Sequence, residues 1–206
     1  ASYRRQRQMC IRDRDSDSQM MGKGLAVGDY NGDGFDDIAI GSPGANANDG
    51  LVQFAFGSSS GLSETLAVVS GVSNPVTSGD QYGYCLETVD DLNSDNYDEV
   101  LVCSIDYQQG SDTGKVDLFY GSDTDTTWVK MGSPNQMLQG SNFGQSISAD
   151  GDLNGDGFPD LVIGNTGDLI DSSGFSSVEV RYGSATGFAT NPDRSYQSIS
   201  SGTLFG

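Results

Sequence analysis

The sequence predicts an all-β chain of repeated four-stranded antiparallel units, and three observations carry that prediction. An acidic nine-residue loop occurs three times, at steps of 62 and 61 residues. A glycine preceded by Met, Tyr or Phe recurs ahead of each loop, and a short apolar burst follows each one. No stretch shows the 3.6-residue apolar period of an amphipathic helix. A unit that recurs at a fixed step is one supersecondary element that buries its faces only by stacking on its neighbours.

The elements follow in chain order. The repeats open on Met21-Gly22, Tyr82-Gly83 and Phe143-Gly144, and Phe205-Gly206 begins a fourth, with steps of 61, 61 and 62 residues between the glycines. In repeats two and three one extra residue separates this glycine from the acidic loop, which predicts a bulge in that strand. After the loops, Ile38-Ala39-Ile40, Val100-Leu101-Val102 and Leu161-Val162-Ile163 read as short strands buried on both faces. A third strand covers 51–56, 116–120 and 178–182, each ending at a Gly-Ser turn: Gly57-Ser58, Gly121-Ser122 and Gly183-Ser184. A fourth, weaker strand is expected near 65–69, 127–131 and 195–198. Four such strands per unit, joined by Gly, Ser, Asn and Asp turns, describe the blades of a β-propeller. The expected organisation is a leader at 1–19, blades at 20–81, 82–142 and 143–203, and the start of a further repeat at 204–206.

The loops carry the chemistry. They read Asp29-Tyr30-Asn31-Gly32-Asp33-Gly34-Phe35-Asp36-Asp37, Asp91-Leu92-Asn93-Ser94-Asp95-Asn96-Tyr97-Asp98-Glu99 and Asp152-Leu153-Asn154-Gly155-Asp156-Gly157-Phe158-Pro159-Asp160. Positions 1, 3, 5 and 9 bear side-chain oxygens, and a hard cation such as calcium takes six to eight oxygen ligands. Position 7 (Phe35, Tyr97, Phe158) is expected to add its backbone carbonyl, which leaves its aromatic ring free to pack. Asn-Gly and Asp-Gly also suit an ordinary hairpin turn. A turn needs no acid, however, and crowded carboxylates repel one another unless a cation neutralises them. An EF-hand closes its site with Glu at position 12; here that position is Ile40, Val102 or Ile163, so the acid at position 9 closes the site. Calcium is thus the expected cofactor, at about three sites, one per repeat. In loop two, Asn96 replaces the position-6 glycine and Glu99 replaces Asp, which predicts lower affinity or altered geometry there.

Charge narrows the partners. The chain has 29 acidic and 10 basic residues, no histidine and a formal net charge of −19. Five of the basic residues (Arg4, Arg5, Arg7, Arg12 and Arg14) lie in the first 14 positions, so the rest is more acidic still. Nucleic acid is not an expected partner, because phosphate neutralisation needs clustered Lys and Arg. Three divalent ions would bring the formal −19 to −13 and leave an acidic, soluble surface. No apolar run reaches the roughly 20 residues of a membrane-spanning helix, and residues 1–20 lack the apolar core of a signal peptide. The opening Ala-Ser-Tyr-Arg-Arg-Gln-Arg-Gln-Met-Cys-Ile-Arg-Asp-Arg resembles translated adapter read-through, the alternative being a basic disordered tail. Cys85 and Cys103 flank the second loop at near-symmetric positions, compatible with a disulfide or with two buried thiols.

The combination of Phe-Gly, the acidic loop and a following Gly-Ala-Pro element resembles the FG-GAP repeat of integrin α-subunit propellers and their bacterial relatives. The third element reads Gly41-Ser42-Pro43 in repeat one and degrades to Cys103-Ser104-Ile105 and Gly164-Asn165-Thr166. The resemblance covers about residues 20–206. It implies a partial propeller, three blades of a seven-bladed ring, with calcium in the hairpins between strands one and two and the remaining blades as structural partners. It also implies an extracellular or cell-surface location and a non-catalytic role in adhesion or surface recognition of a protein or glycan. Partners would meet the opposite face, formed by 42–50, 104–114 and 165–175 with the connections 71–81 and 132–142. Tyr82 and Tyr107 are the aromatic candidates there, with simple packing as the alternative. Other readings are a propeller accessory to a secreted enzyme, as in glycosylphosphatidylinositol-specific phospholipase D, and a spacer in a large secreted repeat protein. A chain without histidine offers no serine triad of its own.

Overall fold

A computed structural model describes residues 19–70, 79–109, 112–122, 136–139, 143–165 and 176–197. Three sheets result, each of four antiparallel strands in sequence order. The first holds β1 (Leu25–Gly28), β2 (Asp37–Gly41), β3 (Leu51–Ala55) and β4 (Ala67–Ser70). The second holds β5 (Tyr82–Val89), β6 (Glu99–Gln109), β7 (Asp112–Phe119) and β8 (Gln136–Gln139). The third holds β9 (Ser146–Gly151), β10 (Asp160–Asn165), β11 (Ser177–Arg181) and β12 (Arg194–Gln197). The acidic loops join the first and second strands of each sheet. This is the meander of propeller blades. No described helix is long and apolar enough to cross a membrane.

The sheets stack because their strands alternate between two apolar faces. Val100 and Val102 of β6 pack on Ala26, Ala39, Val52 and Phe54 of the first sheet. Their neighbours Leu101 and Cys103 point the other way, onto Ala149, Leu161 and Ile163 of the third. A side chain alternates faces at each residue, so an unbroken apolar run is what a sheet buried on both sides requires. The residue at loop position 2 joins these layers: Tyr30 and Leu92 are fully buried in the two interfaces, whereas Leu153 stays 58% exposed. Tyr30 packs edge-on against Phe54 with ring centroids 5.6 Å apart, and its hydroxyl lies 2.7 Å from that of Thr88 on the second sheet. The aromatic-glycine pairs Tyr82-Gly83 and Phe143-Gly144 serve the same joint, whereas Met21 ahead of loop one is exposed. Gly83, at φ +83°, lies so close to the first sheet that a Cβ on Gly41 would stand 2.0 Å from its carbonyl oxygen.

The extra residue predicted to bulge is accommodated differently in the two repeats. In the third sheet the register shifts between Asp160 and Val162, where three residues of β9 face two of β10, the bulge that the spacing predicts. In the second sheet Leu86–Val89 pair with β6 in the same register as Leu25–Gly28 with β2. The extra residue there is Asp90, between β5 and the loop, and the register shift between Tyr82 and Leu86 lies further upstream. Two expectations are corrected. The outer strand of the second sheet is Gln136–Gln139, and the stretch 127–131 assigned to it lies outside the described residues. Residues 104–114, expected as a loop, belong mainly to an extended β6–β7 hairpin: past an irregularity after Ser104, pairing resumes at Gln108 with Thr113 and Gln109 with Asp112. Most of 165–175, 71–81 and 132–142 lies outside the described residues. Tyr82 and Tyr107 pack in the interior, 3% and 7% exposed, with the Lys115 ammonium 5.7 and 4.8 Å from their ring centroids. Lys115 is itself buried and paired with Asp117 at 2.6 Å.

Cys85 and Cys103 form a disulfide. The pairing of Leu86 with Val102 places them directly across β5 and β6, with Cα atoms 5.1 Å apart. The bridge ties off the segment that contains the second acidic loop. Closing a segment of this size contributes roughly 3 kcal/mol. Urea denaturation with and without reductant checks this: the reduced protein is expected to unfold at a lower midpoint, with an unfolding free energy lower by about 3 kcal/mol, and coincident curves would count against the bridge.

Candidate metal centres in the acidic loops

The three loops fold by one hydrogen-bonding scheme. The position-1 carboxylates (Asp29, Asp91, Asp152) accept the backbone N–H of position 5 on Oδ1, at 3.1, 2.8 and 3.1 Å. On Oδ2 they accept the N–H of position 6, at 2.8, 3.1 and 2.9 Å. The position-3 amides (Asn31, Asn93, Asn154) accept the same position-5 N–H through Oδ1 at 2.9 to 3.0 Å. They donate Nδ2–H to the position-5 carboxylates of Asp33, Asp95 and Asp156 at 3.3, 2.9 and 2.7 Å. Those carboxylates accept the N–H of Phe35, Tyr97 and Phe158 at position 7, at 2.9, 3.1 and 2.9 Å. Side chains at positions 1, 3 and 5 are thus turned into the loop. Phe35 is largely exposed, and Tyr97 and Phe158 are half-buried.

This winding needs left-handed backbone at positions 4 and 6. Gly32 and Gly34 have φ of +71° and +86°, and Gly155 and Gly157 of +79° and +91°. In loop two the same positions are Ser94 and Asn96, at +61° and +69°. Asn visits this region with little penalty, but for Ser the crowding of Cβ costs about 1–2 kcal/mol. The sequence flags Asn96; the conformation of Ser94 emerges only from the structure.

Position 9 differs in kind, because it opens the second strand and is buried. Asp37, Glu99 and Asp160 are at most 1% exposed. Asp37 Oδ1 accepts the N–H of Gly57 at 2.8 Å, and Asp160 Oδ1 that of Gly183 at 2.9 Å. Two of the Gly-Ser pairs after the third strand, Gly57-Ser58 and Gly183-Ser184, are therefore not only turns: their glycine N–H groups hold the position-9 acid. No side chain fits there, since a Cβ on Gly57 would lie 2.3 Å from the Asp36 carbonyl oxygen and one on Gly183 2.0 Å from that of Pro159. Sequence reasoning missed this role, although the recurrence of Gly-Ser was its signal. Asp160 Oδ2 accepts the Leu153 N–H at 2.7 Å and Glu99 Oε2 the Leu92 N–H at 2.5 Å. Asp37 Oδ2 and Glu99 Oε1 have no hydrogen-bond partner.

Burial without full compensation holds the Asp37 and Glu99 carboxyls above their ordinary range. Asp37 is pushed up to about 6, chiefly by burial and then by the Asp33 and Asp29 charges, against the opposing Gly57 N–H. Glu99 is pushed up to about 8 by burial, opposed by the Leu92 N–H and reinforced by Asp95, Asp91 and Asp98. Asp152 goes the other way, because the N–H groups of Gly157, Gly155 and Asp156 favour its anion. In loop two, carboxylate oxygens of Asp91, Asp95 and Glu99 all lie within 4.8 Å of one another. The added methylene of Glu99 carries its head group toward the other two acids. These oxygen donors, with unpartnered buried oxygens among them, suit a hard divalent cation.

The FG-GAP repeat family matches residues 21–54 and 143–178. The chain is 29% identical to human integrin alpha-6 over 151 residues, 72% of this chain and 13% of that protein. It is 30% identical to integrin alpha pat-2 of Caenorhabditis briggsae over 165 residues, again 72% of this chain and 13% of the relative. Integrin alpha-4 of Xenopus laevis is 28% identical over 152 residues, 69% of this chain and 14% of the relative. The chain spans about one-seventh of the length of these relatives. It carries FG-GAP repeats in an integrin-α-like, all-β arrangement of propeller blades. The family match skips the central repeat, where Ser94, Asn96 and Glu99 depart from the other two loops, yet the hydrogen-bonding scheme there is the same.

Two substitutions test this local account. Ser94→Gly is expected to raise stability by about 1 kcal/mol by relieving the left-handed backbone. Gly183→Ala is expected to cost about 1–3 kcal/mol through overpacking against Pro159. Urea midpoints measure both, and a destabilising Ser94→Gly or a neutral Gly183→Ala would contradict the geometry.

Proposed function

We propose that this FG-GAP repeat chain is a calcium-binding, non-catalytic propeller module for extracellular adhesion or surface recognition. The observation that carries the reading is the meeting of Asp91, Asp95 and Glu99 in a loop whose fold recurs twice more along the chain. Three carboxylates at that range repel one another, and one is buried; a divalent cation removes the repulsion and supplies the missing partner. The ligands would be Asp29, Asn31, Asp33, Phe35 (carbonyl) and Asp37 in site one. Asp91, Asn93, Asp95, Tyr97 (carbonyl) and Glu99 would form site two, and Asp152, Asn154, Asp156, Phe158 (carbonyl) and Asp160 site three. Calcium fits a flexible all-oxygen set better than magnesium, which demands near-ideal octahedral geometry.

The surroundings support an extracellular setting. A disulfide persists where the compartment is oxidising, and Cys85–Cys103 is such a bond. Extracellular calcium modules bind at about 10⁻⁴–10⁻³ M, so the sites fill outside cells and empty inside them. Partners in this reading are further blades of the same propeller and a protein or glycan ligand. Leu25 and Val27, 60% and 55% exposed on the first sheet, are the surface that another blade would cover.

Thermal unfolding tests the proposal. Millimolar calcium is about 1–10 times a Kd of 10⁻⁴–10⁻³ M and stabilises by about 0.4–1.4 kcal/mol per site, so filling about three sites is expected to raise Tm by a few degrees, and excess chelator to reverse it. Asp156→Ala should abolish site three and leave site one intact, because a repeat contacts only its neighbours and the second blade stands between the first and the third. An unchanged melt in chelator, or loss of site one in that variant, would contradict the reading.

A further inference from the structure

Loops one and two are joined by hydrogen bonds; among the described residues, loops two and three are not. Asp98, at position 8 of loop two, accepts the backbone N–H of Asp29 on Oδ2 at 2.8 Å. Its own N–H donates to the Asp29 carbonyl at 3.1 Å. The residue held from both sides carries the position-1 carboxylate of loop one. Asp98 itself lies between Tyr97 and Glu99, the position-7 and position-9 residues of loop two. The Tyr97 ring covers Gly32 of loop one so closely that a Cβ there would stand 2.4 Å from Tyr97 Cε1. Ser122 adds a backbone bond to the Tyr30 carbonyl at 3.1 Å.

At the next junction position 8 is Pro159, which has no N–H and no acid. Among the described residues no hydrogen bond joins loops two and three. Between them lies a cleft of about 290 Å³ lined by Asp90, Asp91, Asp150, Asp152, Gly157 and Pro159.

We infer that Asp98 is a positioning residue for the first metal site, and that through it calcium in site two raises affinity at site one while site three binds alone. The inference rests on the calcium reading above. A cation in site two fixes positions 7 and 9, and the residue between them is fixed with them. Asp29 is then already ordered when site one fills, so the second event meets a smaller ordering cost. Coupling of this kind is reciprocal and is typically about 5-fold or more in affinity.

Amide-resolved NMR of the full chain titrated with calcium chloride tests it. The reporters are the N–H groups of Gly34, Asn96 and Gly157, each held by the position-1 carboxylate of its own loop. In the unsubstituted chain Gly34 and Asn96 are expected to share a steep transition, with Gly157 following a separate simple curve. Asp95→Ala, which removes a site-two ligand, should raise the Gly34 midpoint about 5-fold or more and leave Gly157 in place. Asp98→Ala should move Gly34 likewise with every proposed ligand retained, and Asp98→Asn, which keeps an acceptor oxygen and the N–H, should restore most of the loss. Independent simple curves for Gly34 and Asn96, or a Gly34 midpoint unmoved by both substitutions, overturn the coupling while calcium binding stands. Silence of all three amides overturns the calcium reading as well, so the two failures are distinguishable.

Discussion

Each sheet is built around a carboxylate at the head of its second strand, buried at the meeting of a loop, a strand and a turn. Burying an acid there is unfavourable unless its oxygens are satisfied. The structure answers with the glycine N–H after the third strand for Asp37 and Asp160, and with a loop N–H for Glu99 and Asp160. The rest of the blade follows from that placement. The glycine must be side-chain-free because the position-8 carbonyl passes close by, and the second strand begins at a fixed residue, which sets the register of the apolar burst behind it. The other acids of the loop are turned toward the same region by their own N–H contacts. What makes the arrangement a candidate metal centre is the remainder, the oxygens of Asp37 and Glu99 that the protein leaves without partners.

The stacking of blades and the chemistry of the loops are one construction. Position 2 of the loop, a residue with no part in the oxygen set, inserts between sheets as Tyr30 or Leu92, and position 7 of loop two lies on the backbone of loop one. An ion that ordered a loop would therefore also order the joint beneath it. The second sheet carries a β6–β7 hairpin longer than the β2–β3 one of the first sheet, a disulfide across its first strand pair, and a buried Lys115–Asp117 pair under two tyrosines. These features accumulate on the blade whose loop lacks both glycines, where the backbone at Ser94 is least favourable.

Much of this was legible in the sequence, and the reasons are physical. The second and third strands follow from apolar runs and Gly-Ser stops, and the bulge in β9 follows from counting one residue between a glycine and a loop, whereas in repeat two that residue, Asp90, falls past the end of β5. The oxygen-bearing positions were visible because their spacing repeats while their neighbours change. Other features depend on contacts between distant residues. Gln136–Gln139 as an outer strand has no apolar alternation to announce it. The 104–114 hairpin extends through polar residues that strand propensity disfavours, and the burial of Tyr82 and Tyr107 depends on a lysine more than thirty residues from the first. The role of Asp98 was hidden for the same reason. Position 8 looks variable, as Asp36, Asp98 and Pro159, until the neighbouring blade is in place.

Direct calcium binding by equilibrium dialysis on the intact chain tests the central claim, that a divalent ion neutralises the acids gathered in each loop. At millimolar free calcium the expected result is about three ions per chain, reduced to two by Asp156→Ala. Sites that take up no calcium at that concentration, with the chain folded, would contradict the account.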